Sequence, residues 1–196
     1  MIRTSKGGFY HHFISKDAVL KTICEQRARQ AAERCAQALE GVPAPLERLN
    51  LLLRQAIPLQ KEELPFMTML LPTLGKSECA AVRVGYQDAL TQSFHDLLAG
   101  EISRATQAGV LHPVVSDPAG PVLLLLNQAW YDACLYLLRC VRKEERYESA
   151  TVLNLLQQTR RCVEVLLEAP YGGIQLADLQ TWDEAAQYMM MRLSGI

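Results

Sequence analysis

Thr4-Ser5-Lys6-Gly7-Gly8-Phe9-Tyr10-His11-His12-Phe13-Ile14-Ser15-Lys16 reads as a short helix, a tight connection and the capped start of a longer helix. Phe9 and Phe13, four apart, share one face of the short helix. Lys6, Tyr10, His11, His12 and Lys16 place positive charge and hydrogen-bond donors on its outside. Donors over an aromatic anchor suit a helix lying on a DNA duplex, where phosphate contacts fix the register and a few side chains reach base edges. The bland alternative is that Phe9, Tyr10 and Phe13 are core aromatics of a helical bundle.

Working outward, Ser15 is a good N-cap and Asp17 complements the helix dipole. Leu20, Ile23, Cys24, Ala28, Ala31, Cys35 and Leu39 then recur at three- and four-residue steps, which predicts one amphipathic helix ending at Gly41 and the Pro43/Pro45 pair. A second helix is expected from Leu46 to Ile57, broken near Pro58. Pro72 and Gly75 make the apolar segment Pro65–Leu74 read as irregular or kinked. Further helices are expected from Ser77 or Glu78 to Gln107, over Pro118–Arg142, over 149–168 and over Ala177–Leu193. No strand alternation or internal repeat appears, so the fold class is all-α.

The Pro118–Arg142 helix is apolar around most of its circumference and must be covered on both sides. One side can be the chain's own core; the other calls for a second subunit or another layer. Paired antiparallel with residues 149–168 and doubled by a two-fold axis, it would give a four-helix dimer interface. The expected dimerisation residues are Leu124, Ala133, Leu137, Leu153, Leu156, Val163 and Leu167. The run Pro121–Val141 is the nearest approach to a membrane span, but Asn127, Gln128, Asp132 and Arg139 interrupt it, so no membrane partner is expected.

The 196 residues carry a net charge of −1 that hides an asymmetry. Residues 1–30 hold six basic against two acidic side chains, and the remainder 14 against 19. A basic end on an acidic body fits an anionic partner at the N-terminus, although a solvated helix face would explain the charge as well. The six cysteines lack Cys-x-x-Cys spacing, and no apolar signal segment opens the chain. Both point to the cytoplasm and argue against a disulfide framework or a zinc site.

Residues 4–16 resemble the recognition helix, and the start of the helix after it, in the tetracycline-repressor (TetR) family of bacterial transcriptional regulators. The resemblance rests on Ser5-Lys6-Gly7 before the helix, the Phe9-Tyr10-x-His12-Phe13 core and the Ser15-Lys16 pair. It implies a TetR-like helical bundle: a partial helix-turn-helix head and connector helix in residues 1–40, lacking the first two helices of the head, and a ligand-binding and dimerisation body in 41–196. It also implies a DNA-binding regulator, a repressor in the first instance, modulated by a small-molecule effector and acting as a homodimer. Ser5, Lys6, Gly8, Tyr10, His11 and Lys16 match positions that face operator DNA, provided the native protein has the missing head helices. The alternative is a headless ligand-binding or dimerisation module without DNA binding of its own.

A pocket in the body could be walled by Phe66, Met67 and Leu70, by Tyr86, Leu90 and Phe94, and by Asn127, Trp130 and Tyr131. These side chains suit a pocket wall and an ordinary core alike. Asn127 and Asp132 are the least core-like of that region, since a buried polar group needs a protein or ligand partner. The chain has no Gly-x-Ser-x-Gly elbow, phosphate-binding glycine loop or His-Glu-x-x-His pair, so neither an enzyme nor a cofactor is expected. Adjacent His11 and His12 point apart on a helix, so no metal is expected there. The neighbouring carboxylates Glu62–Glu63 and Glu144–Glu145 sit in polar links and read as solvated surface.

Overall fold

Alanine, glutamine, glutamate and arginine fill most of residues 16–39, and all are strong helix formers. The computed structural model describes residues 16–76, 79–176 and 178–194, apart from the side chains of Lys16 and Asp17. Among them run seven helices and no strand: α1 Lys16–Leu39, α2 Pro45–Gln55, α3 Leu64–Leu74, α4 Ala80–Gln107, α5 Ala119–Val141, α6 Ser149–Leu167 and α7 Leu179–Leu193. The chain is all-α, and no helix among the described residues is long and apolar enough to cross a membrane.

Cys24, Ala28, Ala32, Cys35 and Leu39 form the buried stripe of α1. The stripe is made mostly of small side chains, and α1 packs along α4 and more briefly on α2. These residues join a single core cluster that also takes in α2 to α7. Residues 16–39 therefore share one core with the rest of the described chain.

The segment expected to be irregular or kinked, Pro65–Leu74, is not irregular: it is helical throughout, within α3, with Pro72 inside the helix. Pro65 stands in the first turn, where its missing N–H would have no intrahelical partner anyway. Pro72, in the last turn, removes the one ladder bond that an N–H there would give to the Thr68 carbonyl, and the helix runs only two residues beyond it. Gly75 caps the helix where α3 ends against α5; a Cβ there would stand 2.6 Å from Leu138 Cδ1, so that side chain would have to shift.

α5 is covered by α4 and α6, with α3 and α7 completing the contacts, so most of its apolar circumference is used within one chain. Gly109, at φ +70, turns the chain out of α4. The link that follows lies along the end of α6, with the His112 and Val114 N–H groups donating to the carbonyls of Leu167 and Leu166.

Buried polar groups fix how the helices meet. Arg48 of α2 forms a two-pronged pair with Glu101 of α4, both bonds at 2.7 Å, and also donates to the carbonyls of Leu39, the last residue of α1, and of Val42 just beyond it. Hydrogen bonding from Arg48, ahead of its charge, holds the Glu101 carboxyl below its ordinary range. Asn50, 4% exposed, clamps the connection after α6: its amide donates to the Gly173 carbonyl and accepts from the Gln175 N–H, each at 2.8 Å. Asn50→Leu leaves both backbone groups unpaired and is expected to lower the unfolding free energy by about 1–3 kcal/mol. Urea unfolding measures this, and an unchanged midpoint would mean that water replaces both bonds.

Candidate functional site

α1 enters the body through charge. Arg27 and Arg34 stand seven residues, or two helical turns, apart and therefore on one face. Both reach Glu63, just before α3: Arg34 by a short hydrogen-bonded ion pair, Arg27 at 3.9 Å. Glu63 is 1% exposed and one of its oxygens accepts no hydrogen bond, so its charge is stabilised by the two guanidinium groups and by its place at the N-terminus of α3. This corrects the reading of Glu62–Glu63 as a solvated pair: Glu62 is exposed, and Glu63 is an interior anchor. The two arginines on α1 were the available signal, but nothing in the local sequence of residues 58–63 aligns them with it. Glu144 and Glu145 do lie at the surface, where Glu145 pairs with Arg139.

From the same anchor an aromatic column crosses the bundle. The Arg27 guanidinium lies 5.4 Å from the Phe66 ring centre. Phe66 meets Tyr86 edge-on at 5.9 Å, and Tyr86 meets Trp130 edge-on at 5.6 Å. The Tyr86 hydroxyl lies 3.7 Å from the Met67 sulfur. Burial, followed by the Glu63 charge, raises the Tyr86 phenol far above its ordinary pKa. α1, α3, α4 and α5 are thus joined side chain to side chain.

Of the nine expected pocket residues, the column brings together Phe66, Met67, Tyr86 and Trp130. Leu70, Leu90 and Phe94 are buried in the same cluster. Asn127 is buried too, and its partners are protein: its amide donates to the Gln87 carbonyl at 3.3 Å and to Thr91 Oγ1 at 3.0 Å. Tyr131 stands apart, half-buried, with its hydroxyl accepting from Arg83 at 2.7 Å. Asp132 is exposed and accepts from Gln128.

The expected dimerisation residues separate by burial. Ala133, Leu137, Leu156, Val163 and Leu167 are enclosed by their own chain, so they are not available to a second copy. Leu153 is half-buried, and Leu124 is 69% exposed. Helical periodicity marks apolar faces without saying which layer covers them. Of the expected set only Leu124 belongs to the uncovered apolar surface of α5 and α6: with Leu125, with Cys162, Val165 and Leu166 of α6, and with Val114, Pro121 and Arg161, it lines a groove of about 530 Å³.

The expected DNA-contact residues Ser5, Lys6, Gly8, Tyr10 and His11 lie outside the described residues, as does the side chain of Lys16. No protein-family model, curated protein or solved structure matches this chain.

Proposed function

We propose that this protein is a dimeric, DNA-binding transcriptional regulator of the tetracycline-repressor type. Ser5, Lys6, Gly8, Tyr10, His11 and Lys16 meet the operator, and the helical body takes a small-molecule effector. The observation that carries this reading is the anchoring of α1 by Arg27 and Arg34 on Glu63. The described part of the helix starts at Lys16, within the Thr4–Lys16 motif; it packs along α4 and is tied to the start of α3 by the two ion pairs. Any rearrangement of α3 against α4 would move the start of α1, and with it the motif that reads DNA. An effector that favours one arrangement would then shift the population of DNA-compatible dimers.

Selection of bound sequences from a pool of random 24-base-pair duplexes tests this on the full chain. An enriched sequence is expected, bound with an affinity that falls steeply with salt, as phosphate contacts require. Lys6→Ala and His11→Ala should each weaken binding to it by about tenfold. No enrichment at low salt would sink the DNA-binding reading in favour of a ligand-binding or dimerisation module.

The second copy docks on the apolar face around Leu124 and Val165, which are 69% and 56% exposed. Large uncovered apolar patches mark interaction sites. Light scattering should give twice the 21.9 kDa chain mass, and Leu124→Asp with Val165→Asp should reduce it to 21.9 kDa. A monomer mass for the unaltered protein at micromolar concentration would remove the homodimer.

A further inference from the structure

A second cleft, of about 550 Å³, lies where the end of α2, the middle of α6 and the connection between α6 and α7 meet. That volume falls within the range of small-molecule sites. Leu153, Leu156 and Ile174 give it apolar walls, and Arg54 and Arg160 bring two guanidinium groups to it. The wall formed by residues 172–176 is held in place by buried polar groups. Asn50 clamps Gly173 and Gln175 from one side. Glu164, 1% exposed, accepts from the Gly172 N–H at 2.9 Å on the other.

The two arginines are incompletely matched. Arg160 Nε is shut off from solvent with no acceptor. Glu164 Oε1 stands 3.6 Å away, beyond hydrogen-bond length, and that carboxylate is shared with Arg161 at 3.1 Å. The Arg160 guanidinium is thus held by a long ion pair rather than a fork, and its Nε has no acceptor within hydrogen-bond length among the described residues. Arg54 donates to Gln175 Oε1 at only 3.3 Å. Asp178, the sole acidic side chain lining the cleft among the described residues, is engaged by the Thr181 N–H at 2.7 Å as the cap of α7. Counting Arg54, Arg160, Arg161, Glu164 and Asp178, the neighbourhood keeps a net positive charge.

We propose that this cleft binds a monocarboxylate with an apolar tail. The carboxylate sits between Arg54 and Arg160, whose planar forks match its two oxygens, and the tail lies on Leu153, Leu156 and Ile174. The binding itself does not rest on the regulatory reading, and its test needs no DNA. If the protein is a regulator, this names the chemistry of its effector and places it away from the aromatic column.

Calorimetric titration of the full chain with sodium octanoate, 1-octanol and sodium phosphate tests the site. Octanoate should bind saturably at one molecule per chain, and neither octanol nor phosphate should match it. Arg54→Met and Arg160→Met should each weaken octanoate binding by about tenfold or more, and Arg54→Lys should restore part of the loss at an unchanged circular dichroism spectrum. Absence of saturable octanoate binding overturns the proposal. So does equal binding of octanol, which would locate the ligand on an apolar surface, and so does preferential binding of phosphate. Octanoate binding that both methionine variants leave intact would likewise overturn it, since the apolar groove of α5 and α6 would then be the binding surface.

Discussion

Replacing Arg27 and Arg34 together by methionine should lower the unfolding free energy by about 3–5 kcal/mol, the range for a buried charge stripped of its partners. Glu63→Gln should cost only about 1–2 kcal/mol, the worth of one or two charged hydrogen bonds. The asymmetry follows from where each charge sits. The Arg27 and Arg34 side chains are 37% and 41% exposed, whereas that of Glu63 is 2% exposed. Without Glu63, the guanidinium groups turn to water. Without the arginines, the carboxylate has no water to turn to and keeps only the weak field of the α3 N-terminus. Chemical denaturation of the three proteins measures both values. Equal losses, or a larger loss for Glu63→Gln, would show that the pair contributes through packing rather than charge. The same variants bear on the proposed regulator, because loosening α1 from α3 should uncouple the N-terminal segment from the body.

Much of this architecture is legible in the sequence because helix periodicity depends on local spacing. Leu39, Gly41 and Pro45 bound α1 and α2, and the apolar repeats of α4 to α7 set their extents to within about two residues. What spacing does not carry is the third dimension. Leu137 and Val163 recur on apolar faces as regularly as an interface would require, yet their own chain covers them, while Leu124 and Val165 remain bare. Pro72 looks like a break and is absorbed in the last turn of α3. Glu63 looks solvated because its neighbours in sequence are polar, and only the folding of α1 beside α3 brings two arginines to it. Asn50 and Glu164 were silent for the same reason: each satisfies backbone groups of a connection distant in sequence or on the far side of a helix end.

Tyr86→Ala should destabilise the protein by about 3–5 kcal/mol, whereas Tyr86→Phe should cost less than about 1 kcal/mol. Tyr86 is 1% exposed and stands between Phe66 and Trp130, both edge-on, so truncating its ring empties a space that these two rigid aromatic neighbours cannot collapse to fill. Removing the hydroxyl alone loses little, because its partner is the Met67 sulfur, a weak acceptor. The size of the alanine penalty also separates two roles for the nine residues once equally assignable to pocket or core. A side chain lining an open pocket loses few contacts on truncation and costs little; one wedged in a packed column costs the full transfer and cavity terms. A loss near 4 kcal/mol, with xenon or benzene binding appearing only in the alanine variant, would make the column a rigid transmitter between α1 and α5. A loss below about 1 kcal/mol would instead return Tyr86, Phe66 and Trp130 to the wall of an effector pocket. Because Arg27 rests on Phe66 at one end of the column and Trp130 belongs to α5 at the other, the first outcome would tie the apolar face of α5 to the anchor of α1 by direct packing.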